Sequence, residues 1–163
     1  FCTRNVGGLE VLESNKQIYK QPMEYFFMKV LFVCRGNVAR SQWAEAFFKH
    51  YSKKHSAESA GTDVGISRGY SLDIYAFVCE VIAQDGIDIR NNQRKQLTPE
   101  LVEEHDLIVS IAGVDYGPDY LLKSPKTIYW DVNDPKGLDY DFHTEAKDKI
   151  KGLVKKLIQD VEN

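Results

Sequence analysis

The sequence predicts an α/β fold in which a parallel sheet is covered by helices on both faces. Four short runs, Val30–Val33, Ala57–Ala60, Leu107–Ile111 and Thr127–Trp130, have the length of strands. They alternate along the chain with segments whose apolar residues repeat at helical spacing. Val30–Val33 and Leu107–Ile111 are largely apolar without alternation, as expected of strands buried on both sides. Strands that alternate with helices in this way pair in parallel, because each helix carries the chain back across the sheet.

The elements follow in order. Residues 1–27 show neither periodicity nor the basic start and apolar centre of a signal peptide, and are read as a flexible leader of unknown role. The folded domain is placed at 28–163, where Met28 leads into Lys-Val-Leu-Phe-Val. After the first strand and a polar loop, Ala44, Phe47, Phe48 and Tyr51 fall on one helical face. The second strand ends at Gly61. Leu72, Tyr75, Ala76 and Cys79 repeat the helical spacing, and Gly86 suits the stop. Thr98 reads as an N-cap with Pro99 at the first helical position, and Leu97 and Val102 form a hydrophobic staple around it. After the last two strands, Ala146, Ile150, Leu153, Val154, Leu157, Ile158 and Val161 make the closing stripe.

Composition excludes several classes. In 163 residues, 43% are hydrophobic, enough for one core without disulfides. The balance of 21 basic against 24 acidic residues argues against a nucleic-acid or membrane-surface partner. No apolar run approaches the ~20 residues of a membrane helix. Cys2, Cys34 and Cys79 make a poor disulfide framework, so a cytoplasmic setting is expected. The four histidines show no metal-ligand spacing, and no metal or organic cofactor is expected.

Ligand sites in such sheets lie beyond the carboxyl ends of the strands. There the first strand runs into Cys34-Arg35-Gly36-Asn37-Val38-Ala39-Arg40-Ser41. A loop closing onto a helix start points backbone N–H groups inward, where an anion fits. Gly36 is expected to permit a tight turn, and Asn37 a left-handed backbone. The Arg40 fork matches two phosphate oxygens. The field that holds a dianion also favours a thiolate nucleophile at Cys34, and the Ser41 hydroxyl can donate to its sulfur. The phosphate-binding set is therefore Arg35, Gly36, Asn37, Val38, Ala39 and Arg40. The loop is not a Walker loop, since no Gly-Lys-Ser/Thr follows.

Cys-x-Gly-Asn-x-x-Arg-Ser after Val-Leu-Phe-Val resembles the low-molecular-weight protein tyrosine phosphatases and their relatives, the thioredoxin-coupled arsenate reductases. The resemblance runs from Met28 onward and includes Glu58-Ser59-Ala60-Gly61-Thr62, Gly86-Ile87-Asp88, His105-Asp106-Leu107-Ile108 and Asp134-Pro135. It implies a four-stranded parallel sheet flanked by helices. It also implies a cysteinyl-phosphate intermediate on Cys34, transition-state contacts from Arg40, thiolate stabilisation by Ser41, bracing of the loop by Asn37, and a general acid at Asp134. Asp131, Asp139 and Asp141 are rival acids.

Departures from the family pattern refine this. Ala39 stands where a second loop cysteine is common, and relay cysteines of the reductases are missing there and near Ala112, which weakens arsenate reduction as the alternative. Lys136-Gly137 follows Asp134-Pro135 where tyrosine-directed members usually place aromatic residues. Arg35 and Lys136 together ring the mouth with positive charge, favouring acidic substrates. Valine at position 38 leans away from phosphoarginine. Tyr70, Tyr75, Tyr116, Trp43 and Trp130 are core or pocket-wall candidates. The expected function is a cysteine-dependent phosphatase acting on a phosphorylated protein, protein phosphotyrosine foremost, or on a small phosphomonoester. The alternatives are an arsenate reductase of the same fold and a non-catalytic phosphate-binding domain.

Overall fold

Successive side chains of a strand alternate between faces, and β1 (Lys29–Cys34) uses both. Val30, Phe32 and Cys34 enter one core, and Leu31 and Val33 another; all five are buried. The computed structural model describes residues 26–65 and 71–163. In it β1 pairs in parallel with β2 (Ser56–Gly61) on one side and β3 (Leu107–Ser110) on the other. The last strand, β4 (Thr127–Tyr129), extends the parallel sheet beyond β3, giving the order β2-β1-β3-β4. The chain leaves β1 toward β2 and then crosses back to β3. The direction of winding therefore reverses between β1 and β3, which opens a crevice at their carboxyl ends.

The connections carry α1 (Arg40–Tyr51), α2 (Ala76–Ala83), α3 (Pro99–Glu104), α4 (Asp119–Leu122) and α5 (Tyr140–Glu162). Trp43, Phe47 and Phe48 of α1, Val81 and Ile82 of α2, and Ile150 and Val154 of α5 pack with Val30 and Phe32. Val102 of α3 and Leu121 of α4 pack with Leu31, Val33 and Ile108 on the opposite face. Thr98 caps α3 by accepting from the Leu101 amide at 3.2 Å, and Leu97 and Val102 share one cluster beside it.

The helix predicted through Leu72–Cys79 is broken. A 3-10 turn covers Leu72–Ile74, and α2 starts only at Ala76. Tyr75 between them has φ −108 and ψ 79, and its hydroxyl accepts from Arg94 Nη1 at 3.2 Å. A tertiary bond here overrides the local spacing. Cys79 faces the core, with its Sγ 3.2 Å from the Leu72 carbonyl. The short α4 has no counterpart among the predicted elements. The closing helix starts at Tyr140, ahead of the Ala146 stripe, because Asp139 caps it by accepting from the Phe142 amide at 3.2 Å. Lys147 of α5 is buried and meets Asp85 at 2.9 Å and Asp148 at 2.8 Å. Among the described residues no helix is long and apolar enough to cross a membrane.

Candidate active site

The sulfur of Cys34 emerges at the carboxyl end of β1 and is 2% exposed as a residue, with Ser41 Oγ 3.1 Å away. The neighbours of Ser41 hold its hydroxyl at this position. The Lys95 backbone amide, which can only donate, reaches Asn37 Oδ1 at 2.8 Å and so fixes which end of the Asn37 amide is oxygen. Asn37 Nδ2 then donates to Ser41 Oγ at 2.7 Å and to Ser59 Oγ at 3.0 Å. Accepting from Asn37 leaves the Ser41 hydrogen available, and it donates to Cys34 Sγ when that sulfur is a thiolate, which can only accept. Gln42 Nε2 donates to Asn37 Oδ1 from α1, and Ser59 on β2 donates to Glu45. Asn37, Ser41, Gln42 and Ser59 are all buried, so their bonds are shielded from water.

Backbone geometry places the strain at Asn37, whose φ of 55 is left-handed. Gly36 lies within the bend of the loop without a positive φ, and a Cβ there would meet Arg94 at 3.5 Å. The glycine that the loop needs is Gly61. A Cβ there would lie 2.7 Å from the Arg35 carbonyl oxygen and 2.9 Å from the Asn37 nitrogen. This close approach lets the Thr62 amide donate to the Cys34 carbonyl at 2.9 Å, and the Asp63 amide to that of Arg35 at 2.8 Å. No side chain caps α1, and its first turn holds no acidic residue, so its leading N–H groups remain for an anion.

Arg40 is 6% exposed and tightly held. Its Nη1 donates to the carbonyls of Ile111 at 2.7 Å and Val132 at 3.1 Å, and its Nη2 lies 3.3 Å from Asp134 Oδ2. A second arginine, Arg94, was not foreseen. It donates to the Gly36 carbonyl through Nε and to the Val64 carbonyl through Nη2, each at 2.9 Å. It thereby ties the loop to the segment after β2. Its partner Gly36 is distant along the chain, so no local pattern marks Arg94, and the same holds for Ser59; Gln42 directly follows Ser41, but its residue type alone does not mark it.

These parts line one cleft of about 870 Å³. Cys34, Arg35, Gly36, Val38, Ala39, Arg40 and Asp134 all border it; Asn37 and Ser41 lie behind, in the buried network. Of the four aspartates considered as acids, Asp134 alone borders the cleft. Asp139 is occupied as the cap of α5. Asp134 Oδ1 accepts from the Lys136 amide at 3.0 Å, which aims its carboxyl group along the Pro135 turn. Tyr75, Phe77 and Tyr116 supply aromatic walls. Trp43 and Trp130 belong to the core instead, and Tyr70 lies outside the described residues, as do Cys2 and residues 1–25. Among the described residues no group of histidine, cysteine and carboxylate side chains is arranged to hold a metal ion.

The model of the family described as low molecular weight phosphotyrosine protein phosphatase matches residues 29–163. The chain belongs to this family. A solved low molecular weight protein tyrosine phosphatase from T. tengcongensis is 30% identical, with a TM-score of 0.69, covering 82% of this chain and 99% of that one. A probable low molecular weight protein-tyrosine-phosphatase, EpsP of Ralstonia solanacearum, is 42% identical over 84 residues. That alignment spans 52% of this chain and 55% of the relative, about half of its length. Arsenate reductase 1 of Bacillus cereus is 28% identical over 131 residues, covering 78% of this chain and 91% of that one. The four-stranded parallel sheet with helices on both faces is the family's fold.

Proposed function

We propose that this protein is a cysteine-dependent phosphatase that hydrolyses phosphomonoesters, protein phosphotyrosine foremost, through a cysteinyl-phosphate. The observation that carries this reading is the buried set of hydrogen bonds that runs from Asn37 through Ser41 to Cys34 Sγ. A hydroxyl held within reach of a sulfur donates to it as a thiolate and stabilises that form, both before attack and when it leaves. A purely structural cysteine at a strand end has no use for it.

The steps then follow. Phosphate oxygens enter the loop and compete with Asp134 for Arg40 Nη2. That exchange releases the Asp134 carboxyl group to meet the leaving oxygen. Cys34 Sγ attacks phosphorus, the P–O bond breaks, and Asp134 delivers the proton that an alkoxide or phenolate needs. In the second half, water attacks the phosphorus of the cysteinyl-phosphate and gives its proton to Asp134. The P–S bond breaks, and the departing sulfur receives the Ser41 hydroxyl. Arg40 holds the equatorial oxygens throughout, while its Nη1 stays on the Ile111 and Val132 carbonyls. Side chains and backbone amides supply all of these roles, so the reading needs no metal.

Two other readings fit less well. Arsenate reduction by the relatives' route needs further thiols, whereas Ala39 and Ala112 carry none and Cys79 is packed against the Leu72 carbonyl in the core. A phosphate-binding domain without turnover leaves the pairing of Cys34 with Asp134 unexplained. Free buried thiols at Cys34 and Cys79 suit a reducing compartment, and we place the protein in the cytoplasm. The test is phosphate release from para-nitrophenyl phosphate without added metal, beside Cys34→Ser. Turnover by the wild type that disappears in the variant is expected. Undiminished turnover in Cys34→Ser, or none in the reduced wild type, overturns the proposal.

A further inference from the structure

We propose that the mouth of the cleft is an anion subsite that selects phosphotyrosine segments carrying a second negative group beside the phosphate. This rests on the phosphatase reading and adds the substrate class to it. Three loops bring the parts together. Arg35 follows the nucleophile after β1, Tyr116 lies after β3, and Lys136 follows the Asp134-Pro135 turn after β4. The Arg35 guanidinium carbon sits 3.9 Å from the Tyr116 ring centroid. A cation over an aromatic face is held in place rather than swinging in solvent, which lowers the entropy lost on binding.

Arg35 and Lys136 are both exposed, and among the described residues neither is paired with a carboxylate. Arg94 also borders the cleft, but its three nitrogens are engaged by Gly36, Val64 and the Tyr75 hydroxyl. The opposing charges on the cleft are Asp63 and Asp134, and Asp134 is already engaged by Arg40. Arg35 and Lys136 thus remain for a ligand. Arg35 and Cys34 line the same cleft, so an anion on the guanidinium shares that cleft with the phosphate that Cys34 receives. Its planar fork matches either a carboxylate or a second phosphate. The shared chemistry is a second anion on the same segment.

The test uses three tyrosine-phosphorylated peptides, with neutral flanks, with glutamates beside the phosphotyrosine, and with a second phosphotyrosine beside it. The wild type is measured for kcat/KM, and Cys34→Ser for affinity toward the same peptides. We expect the anionic peptides to be favoured about tenfold at low salt, as two charge-assisted contacts would give. That advantage should shrink as ionic strength rises. Combining Arg35→Ala with Lys136→Ala should bring the ratio close to one. Because the ratio compares two peptides on one variant, any change in phosphoryl chemistry cancels. Preference for only the glutamate peptide or only the doubly phosphorylated one identifies the source of the anion and supports the subsite. Equal values for all three peptides, or a preference that survives the double variant, overturns it. If the wild type fails on para-nitrophenyl phosphate the phosphatase reading falls, and the affinities for Cys34→Ser still decide the subsite.

Discussion

Between Cys34 and Ser41 the side chains of Asn37, Arg40 and Ser41 are buried and bonded, whereas between Asp131 and Leu138 only Val132 and Pro135 are buried. Asp134, between those two anchors, has 44% of its side chain exposed. The nucleophile's loop is bonded to α1, to β2 and to the segment before α3. The other loop touches it chiefly through Arg40, which bonds the Val132 carbonyl and meets Asp134. The contrast follows from what each loop must do. Attack and departure at phosphorus need donors held in one geometry, because their value depends on costing no reorganisation at the moment of reaction. Proton delivery needs a carboxyl group that can change partner as substrate enters and product leaves.

The largest effect that separates the two loops is expected from Asp134→Ala. It should slow hydrolysis of phenyl phosphate by about 10²–10⁴-fold, the usual share of a general acid. Para-nitrophenyl phosphate, whose leaving group needs little proton help, should suffer much less. Equal losses on both substrates would remove Asp134 from the acid role and erase the contrast.

A pair of glycines gives a sharper comparison. Gly61→Ala puts a methyl group against the Arg35 and Asn37 backbone, so the loop must move. It should cost about 1–3 kcal/mol, as overpacking does, and lower kcat on every substrate alike. Gly137 has a φ of +77, but a Cβ there would meet nothing within 4 Å. Gly137→Ala should cost about 1–2 kcal/mol through backbone conformation alone and leave kcat within a few-fold. Urea unfolding and steady-state rates on both variants check this. A larger loss of kcat in Gly137→Ala would mean that the second loop is the geometrically demanding one.

The smallest effect on turnover is expected far from both loops, at Asp85. Burial pushes its carboxyl group up, but hydrogen bonds from Lys151 and Lys147 outweigh that and hold it below its usual value of 3.8. A carboxylate depressed in the folded state contributes stability that is fully present above its unfolded pKa and is lost as pH falls through the folded one. Asp85→Asn should therefore lose about 1–3 kcal/mol near neutral pH, a charged hydrogen bond's worth, with little change in rate per folded molecule. From about pH 4 downward the gap between variant and wild type should narrow, closing only below the depressed pKa of the folded state. Denaturation midpoints across that range are the measurement.

What was legible in the sequence was what local spacing encodes. Apolar runs marked the strands, Thr98-Pro99 marked a helix start, and the short interval from Cys34 to Ser41 marked the loop. The break at Tyr75 coincides with a bond from Arg94, far along the chain, which local spacing does not show. α4 was missed because four residues are too few to show a period. Arg94 and Ser59 reach the loop from distant parts of the chain, and only the parallel pairing of β1 with β2 brings Cys34 opposite Gly61. Gly36 drew attention because a glycine in a loop suggests a turn, yet Asn37 adopts the left-handed conformation.

The division within the loop has a further consequence. Asn37 and Ser41 lie behind the cleft and Arg40 is fixed on the Ile111 and Val132 carbonyls, while the side chains of Arg35 and Val38 border the cleft and take no part in those hydrogen bonds. A combinatorial library at positions 35, 38 and 136 can therefore explore new ligands on an unchanged reaction centre. Retargeting such an enzyme becomes a question of a few outward-facing letters, with the catalytic ones left untouched.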